Sequence, residues 1–453
     1  MLKKYVLLFI VCLVLFNSGI VRAQSWVSVG SPSFSGTEAD NGTLAIDSNG
    51  TPYVAFVDLG TPLFQATVMK YGPTGWVPVG RRGFTAGQVE FTSIAIDHNN
   101  VPYVAYMDAN TAHYRASVMK YMDTGWVVVG DTGFSQLQAS SVCMAIDTAG
   151  TPYVAYLDDS GCSGLPTVMK YNGASWVNVG APRFDSGNVF AISIAIAGST
   201  PYVAFPDGYD TGKATVMKLV DTSWVPVGNR GFSGQDVGAI TLAMNRDTPY
   251  VAFTDFANSR KATVMKYDGT NWVTVGPAGF SAGEADNVSI TIDKHGTPYV
   301  FYGDATTANL GGTAMKYDGT SWVPLGIPGF TTGLDAGNTI VATDKNGTPY
   351  ACYQQFPGAT ASVMKFAAAT EVKSVAAVSS SLSVYPNPAT TQLTVSATEN
   401  ITSVVITDLL GQTVYSSQSA VGSLQASVDV TTLPSGVYLV KVNGSEVRKF
   451  VKE

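Results

Sequence analysis

All seven tryptophans of this chain fall in one recurring string, at Trp26, Trp76, Trp126, Trp176, Trp224, Trp272 and Trp322. Their successive spacings are 50, 50, 50, 48, 48 and 50 residues by subtraction. Each opens a W-V-x-V-G-like string and is followed eight residues later by a phenylalanine, as at Phe84, Phe232 and Phe280. An apolar run ending near Asp comes next (Ile94-Ala95-Ile96-Asp97), then a Pro-Tyr-Val-Ala-aromatic run (Pro102 to Tyr106). The unit closes with Val-Met-Lys-Tyr (Val118 to Tyr121) and a turn such as Tyr317-Asp318-Gly319-Thr320. Every run is short and rich in β-branched or aromatic residues, with no helical period. Such a chain folds by stacking copies of one small four-stranded unit.

A four-stranded repeat of 40–50 residues is the signature of a β-propeller blade, and seven copies predict seven blades. The expected fold is all-β. Alanine recurs in the first strand (Ala45, Ala95, Ala145) and the second (Ala55, Ala105, Ala155), which places those strands near the narrow axis. Trp and Phe suit the wider outer gaps. The strands are out of phase: the chain opens with a fourth strand, Trp26 to Val29, and the last repeat ends on a third, Ser362 to Phe366. Trp26 to Val29 is therefore expected to complete the blade built from about residues 338–366, removing an open sheet edge. The string Ile46-Asp47-Ser48-Asn49-Gly50-Thr51-Pro52-Tyr53-Val54 loosely resembles the NHL-type repeat over Gln24 to Phe366. That resemblance implies architecture more than function. Trp-Asp and Gly-His dipeptides are absent, unlike WD40 arrays, and the Asp47–Gly50 spacing differs from sialidase Asp-boxes.

The 453 residues are only 13% charged, with net charge −7 and pI ≈ 5.0. A coiled coil, a disordered acidic chain and a basic nucleic-acid binder are excluded. Three His and four Cys exclude a dense His or Cys metal framework. Residues 1–23 read as a signal peptide: Lys3 and Lys4 precede the apolar run Tyr5 to Phe16, and Val21-Arg22-Ala23 suits cleavage between Ala23 and Gln24. Losing Lys3, Lys4 and Arg22 takes the mature charge from −7 to −10. No further segment is expected to span a membrane.

The repeat stops after Phe366. Residues 367–381 form an Ala/Ser/Val linker, and residues 382–453 show short alternating strands that predict a small Ig-like β-sandwich. The landmarks are Tyr385-Pro386-Asn387-Pro388, Asp408-Leu409-Leu410-Gly411-Gln412-Thr413-Val414-Tyr415, Leu433-Pro434-Ser435-Gly436-Val437-Tyr438-Leu439-Val440-Lys441-Val442 and the terminal Lys449-Phe450-Val451-Lys452-Glu453. In this order they resemble the type A C-terminal sorting domain of the type IX secretion system of Bacteroidetes. The resemblance implies a path through the periplasm and across the outer membrane, with the type IX machinery as partner. It also implies a product released or held on the cell surface.

Candidate chemistry is sparse. Gly279-Phe280-Ser281-Ala282-Gly283 matches a nucleophile elbow, but sister repeats read Gly83-Phe84-Thr85-Ala86-Gly87 and no helix follows, so it is a repeat feature. His98 and His295 occupy equivalent turns and read as solvated residues, and His113 lies in a different loop. Cys143 and Cys162 belong to one blade and are expected to form a disulfide; Cys352 is expected to be a buried free thiol. Asp58, Asp108, Asp158, Asp207, Asp255 and Asp304 follow the second strand in six blades, with Gln355 or its neighbour at the seventh. A ring of carboxylates at a channel mouth would suit a cation such as calcium, or sugar hydroxyls. The other reading is that each Asp caps its own turn. No cofactor is expected.

Connections leaving strands two and four are long and variable, as in Leu59 to Gln65, Ala109 to Arg115 and Gly208 to Lys213, and all emerge on one rim. They carry Tyr114, Tyr209 and Phe256 among Gly, Ser, Thr, Asn and Asp, a surface suited to glycans. The expectation is a non-catalytic surface or secreted binding protein for a glycan or protein ligand. The alternatives are an extracellular polysaccharide hydrolase or lyase, or a structural surface-layer component. An enzyme needs one asymmetric constellation, whereas the deviations here are the scattered Arg115, Arg183, Tyr209 and Arg260.

Overall fold

The computed structural model describes residues 24–453 apart from 112, 160–163, 186, 188, 308–309, 332–333, 369–381, 409–411 and 444–445. The expected signal peptide and most of the expected linker therefore lie outside the described residues. The chain divides into two compact units between residues 369 and 370.

The first unit is seven antiparallel sheets of four strands, arranged as a seven-bladed β-propeller. Blade 1 runs through Ala39–Ile46, Pro52–Asp58, Gln65–Gly72 and Gly75–Pro78, paired in that order. Blades 2 to 6 repeat the pattern from Val89, Gln138, Ser193, Val237 and Ala285. Blade 7 takes Leu334–Thr343, Pro349–Phe356 and Thr360–Ala368 from the C-terminal end and its outer strand, Gln24–Ser28, from the N-terminal end. Trp26 pairs with Phe366, as the phase of the repeats predicts. Ala367 and Ala368, expected in the linker, instead extend that third strand and pair with Ser25 and Gln24.

The Pro-Tyr-Val-Ala-aromatic run is the most buried strand because sheets cover both its faces. All seven residues of Pro52–Asp58 and of Pro102–Asp108 are buried. The aromatic repeat closes the gaps between blades. Each tryptophan stacks on a phenylalanine from the connection that follows the previous tryptophan: Phe34 on Trp76 at 3.9 Å, Phe84 on Trp126 at 4.1 Å, Phe134 on Trp176 at 4.2 Å. Its indole N–H also donates to a carbonyl of the preceding blade's outer strand or the residue after it, as Trp76 to Val29 (2.6 Å) and Trp126 to Val79 (2.7 Å). The eight-residue Trp–Phe spacing thus encodes contact with the next tryptophan, one blade on.

The C-terminal unit has five strands, Ser383–Tyr385, Gln392–Thr407, Thr413–Asp429, Gly436–Val442 and Glu446–Lys452. The two long strands break register between Ser396 and Ile401, and Gln392–Thr407 pairs Ser383–Tyr385 along one half and Gly436–Val442 along the other. Leu393, Val395, Ile406, Val428, Val440 and Phe450 form its core. Asn387 accepts the Val451 N–H (2.8 Å) and so ties the start of the unit to its terminal strand, while the Tyr438 hydroxyl donates to the Pro434 carbonyl (2.8 Å) within its own motif.

Candidate functional site

Antiparallel order sends the connections that leave strands two and four to the same end of every blade, and that end is the long-loop rim. The six aspartates stand where the second strand meets it, and all six are buried. Asp58 shows the arrangement. Its Oδ1 accepts the Gly60 N–H (3.1 Å) and the Thr37 hydroxyl (2.8 Å), and its Oδ2 accepts the Thr67 hydroxyl (2.9 Å). Asp207, Asp255 and Asp304 likewise take the N–H two residues on and the hydroxyls of Thr215, Thr263 and Thr313. Those threonine hydroxyls accept in turn from Gly231, Gly279 and Gly329 N–H groups in the connection to the next blade. In blade 7 the Gln355 side-chain carbonyl replaces the carboxylate and accepts from Ser362 (3.0 Å). The geometry is that of a turn cap linked to its neighbouring loop. The residues that line the channel come from the first strands and include none of the six.

That channel, about 490 Å³, is bordered by first-strand residues of all seven blades. Its hydroxyls are used between blades: Thr43 accepts from Ile94 N–H, Ser93 from Met144 N–H, Ser193 from Leu242 N–H and Ser289 from Val341 N–H. Among the described residues no three His, Cys, Asp or Glu side chains converge as a metal site.

Cys143, one half of the expected disulfide, is a free thiol in register with Ala155, and its Sγ points at the Ile192 and Ala155 carbonyls (3.4 and 3.6 Å). Cys162 lies outside the described residues. Cys352 is buried and free, as expected. His98 and His295 are exposed in their turns. Ser281 is inaccessible; its hydroxyl donates to Gly283 (2.7 Å) and accepts from Ala262 N–H (2.9 Å).

One sector of the rim departs from the repeat. In six blades a Ser or Thr nine residues after Trp accepts an N–H from the third strand, as Ser135 from Ala116 and Ser233 from Ala214. In blade 3 that third-strand position is Pro166, which has no N–H, and the hydroxyl residue becomes Asp185. Freed of that bond, Asp185 Oδ2 accepts from Arg230 Nη2 (2.5 Å), which also bonds Asp207 Oδ2 (2.6 Å) while Arg230 Nε bonds the same oxygen (2.9 Å). Both carboxylates are fully covered and the guanidinium is a third exposed. Burial works against the arginine's charge, but the bonds and field of Asp207 and Asp185 outweigh it and raise its pKa. The ring of Tyr209 lies over this guanidinium at 5.7 Å and is 76% exposed. Gly187 packs so closely beneath that a Cβ would fall 2.2 Å from Tyr209 N. Tyr209 was legible as a departure from the repeat. For Asp185 the sequence signal is its exchange with Pro166, 19 residues apart; Arg230 carries none of its own.

Other large apolar side chains are exposed on the same rim: Leu63, Phe64, Tyr114 and Phe190. Phe256 has Arg260 over its ring at 5.2 Å.

Residues 383–453 match the family described as the secretion system C-terminal sorting domain. This is the type IX sorting domain, so the chain is exported to the cell surface or beyond through the type IX machinery. Among the described residues no helix is long and apolar enough to cross a membrane. No curated protein matches the sequence. Solved structures similar to the chain include the fucose-specific lectin from Aleuria aurantia (14% identity, 65% of this chain and 98% of that one, TM-score 0.44). Others are an ulvan lyase of a new polysaccharide lyase family (12%, 75% and 95%, TM-score 0.47) and the Penicillium chrysogenum α-L-arabinanase (11%, 62% and 94%, TM-score 0.42). At these identities and TM-scores the likeness carries no argument about ligand or chemistry.

Proposed function

We propose that this exported chain is a non-catalytic glycan-binding protein whose principal site is the rim sector around Tyr209 and Arg230. The observation that carries the reading is the exposed Tyr209 ring held over a guanidinium that two buried carboxylates fix in place. An aromatic face that costs little ordering entropy suits the apolar face of a sugar ring, and the outer guanidinium N–H groups suit its hydroxyls. Exposed Phe190 and Tyr114 extend the rim's aromatic surface. A binding role, as against hydrolysis, is supported by the state of the two carboxylates. Both are buried and taken up by Arg230, Thr215 and backbone N–H groups.

The test is a glycan and polysaccharide screen of the mature chain, residues 24–453, with and without calcium. Binding lost in Tyr209→Ala at unchanged melting temperature supports the rim site. Turnover of any polysaccharide hit, or hits indifferent to Tyr209, overturns it.

A further inference from the structure

The opposite face of the propeller, formed by the uniform short turns, carries a second feature that the repeat itself encodes. Three gaps between successive blades open there as clefts of the same construction. Between blades 2 and 3 a cleft of about 510 Å³ has Tyr103 and Lys120 on one wall and the Gly150-Thr151-Pro152 turn with Tyr171 on the other. Between blades 5 and 6 the same places are held by Tyr250 and Lys266, then Gly296-Thr297-Pro298 with Tyr317, around 310 Å³, and here the carboxylate residue Asp318 also lines the cleft. Between blades 6 and 7 they are held by Tyr299 and Lys316, then Gly347-Thr348-Pro349 with Phe366, around 230 Å³. The parts come from the Pro-Tyr-Val and Met-Lys-aromatic strings, so the design recurs with the blades.

The charge arrangement of these clefts is specific. The lysine pairs in register with the tyrosine, and its ammonium lies over the phenol ring, 5.8 Å in blade 2 and 6.0 Å in blade 5. The aspartate at the head of the neighbouring turn is already engaged: Asp147 Oδ1 accepts the N–H groups of Ala149 and Thr151, and Asp293 Oδ1 those of His295 and Thr297. Among the described residues none of Lys120, Lys170, Lys266 and Lys316 has a carboxylate within ion-pair distance. Between blades 2 and 3 two half-buried lysines, Lys120 and Lys170, stand beside an aromatic wall with no carboxylate in the lining, which makes a receptor for an anionic group on a polar ring.

We propose that the cleft between blades 2 and 3 is a subsite for one acidic sugar residue, its carboxylate or sulfate on Lys120 and Lys170. The short-turn face then binds an anionic polysaccharide through this cleft. This surface is separate from the rim site and differs from it in ligand charge.

The experiment is affinity electrophoresis of the mature chain in gels containing polygalacturonate, chondroitin sulfate or neutral dextran. Retardation by an acidic polymer, absent in dextran and falling steeply with salt, is expected. Lys120→Gln with Lys170→Gln should weaken it at least about tenfold. The control pair Lys441→Gln with Lys449→Gln, which removes the same charge from the C-terminal unit, should change it less than about twofold. Retention by carboxylated but not sulfated polymer, or the reverse, identifies the anionic group. The proposal is overturned if neither acidic polymer retards the chain, if dextran does so equally, or if both lysine pairs act alike. Loss of acidic-polymer binding in Tyr209→Ala would place that ligand on the rim and also overturn it. The wild-type salt and dextran comparisons stand even if a lysine variant misfolds.

Discussion

The indole of Trp26 stacks on the ring of Phe330 at 4.3 Å, with the two planes 3° apart. Its N–H donates to the Leu325 carbonyl at 2.6 Å, so the repeat's own contact is made across 299 residues. The N-terminal strand therefore closes the ring by the same contacts that join every other pair of blades.

Removing Gln24 to Gly30 should expose the edge of Thr360–Ala368 and leave Phe330 uncovered. The expected result is a large fall in melting temperature or aggregation. Trp26→Ala alone should cost ~3–5 kcal/mol, the range for truncating a buried Trp. Thermal unfolding followed by circular dichroism checks both, and an unchanged transition would refute the closure.

Arg230→Ala leaves Asp185 and Asp207 facing one another without their shared cation. The cost should be about 2–3 kcal/mol, below that of breaking a fully buried pair because the guanidinium is a third exposed. Adding Asp185→Ser, the residue type of the sister repeats, should recover much of it. A double-mutant cycle in urea measures the coupling, and simple additivity would contradict the arrangement.

Asp255→Ala should destabilise the ligand-free protein by ~1–3 kcal/mol, because Ala257 N–H and the Thr263 hydroxyl lose their acceptor in a buried setting. Chemical denaturation without any ligand tests this. No loss of stability would mean that the six aspartates are kept for a task other than capping.

Burial pushes the thiols of Cys143 and Cys352 up to about 12 from an ordinary value near 9. Both should resist iodoacetamide at pH 8 in the folded protein and react once it is unfolded. Unfolded thiols release protons first, so their contribution to stability is complete below pH 9 and is lost as pH rises toward 12. Labelling followed by mass spectrometry reads the first effect, and denaturation at pH 8 and pH 10.5 reads the second.

Blade number, strand order and ring closure were legible because the Trp-Val, Pro-Tyr-Val and Met-Lys-Tyr strings recur with their phase intact. The sorting domain was legible because the Asn387, Tyr438 and terminal-strand motifs fall in fixed order, and Asn387 accepts from the terminal strand's Val451 N–H. The Asp series was visible as a series, but its chemistry depended on orientation. Only the fold shows that Asp58 faces Gly60 in its own turn and Thr67 on the third strand. That Cys143 stands opposite Ala155 was not legible, because strand register is invisible when loops are compared by blade alone.

By itself the sequence determined what repetition can determine: a closed ring of seven sheets, its aromatic seams and an export signal. Each of these depends on local pattern and spacing. Tertiary structure decided what depends on side chains brought together from different blades. It turned the departure at Pro166 and Asp185 into a guanidinium clamp with Arg230 beneath Tyr209, and it set Lys120 and Tyr103 against the next blade's turn. The physical reason is that burial and counter-ion pairing are properties of neighbours in space, and neighbours from adjacent blades stand some 50 residues apart in the chain.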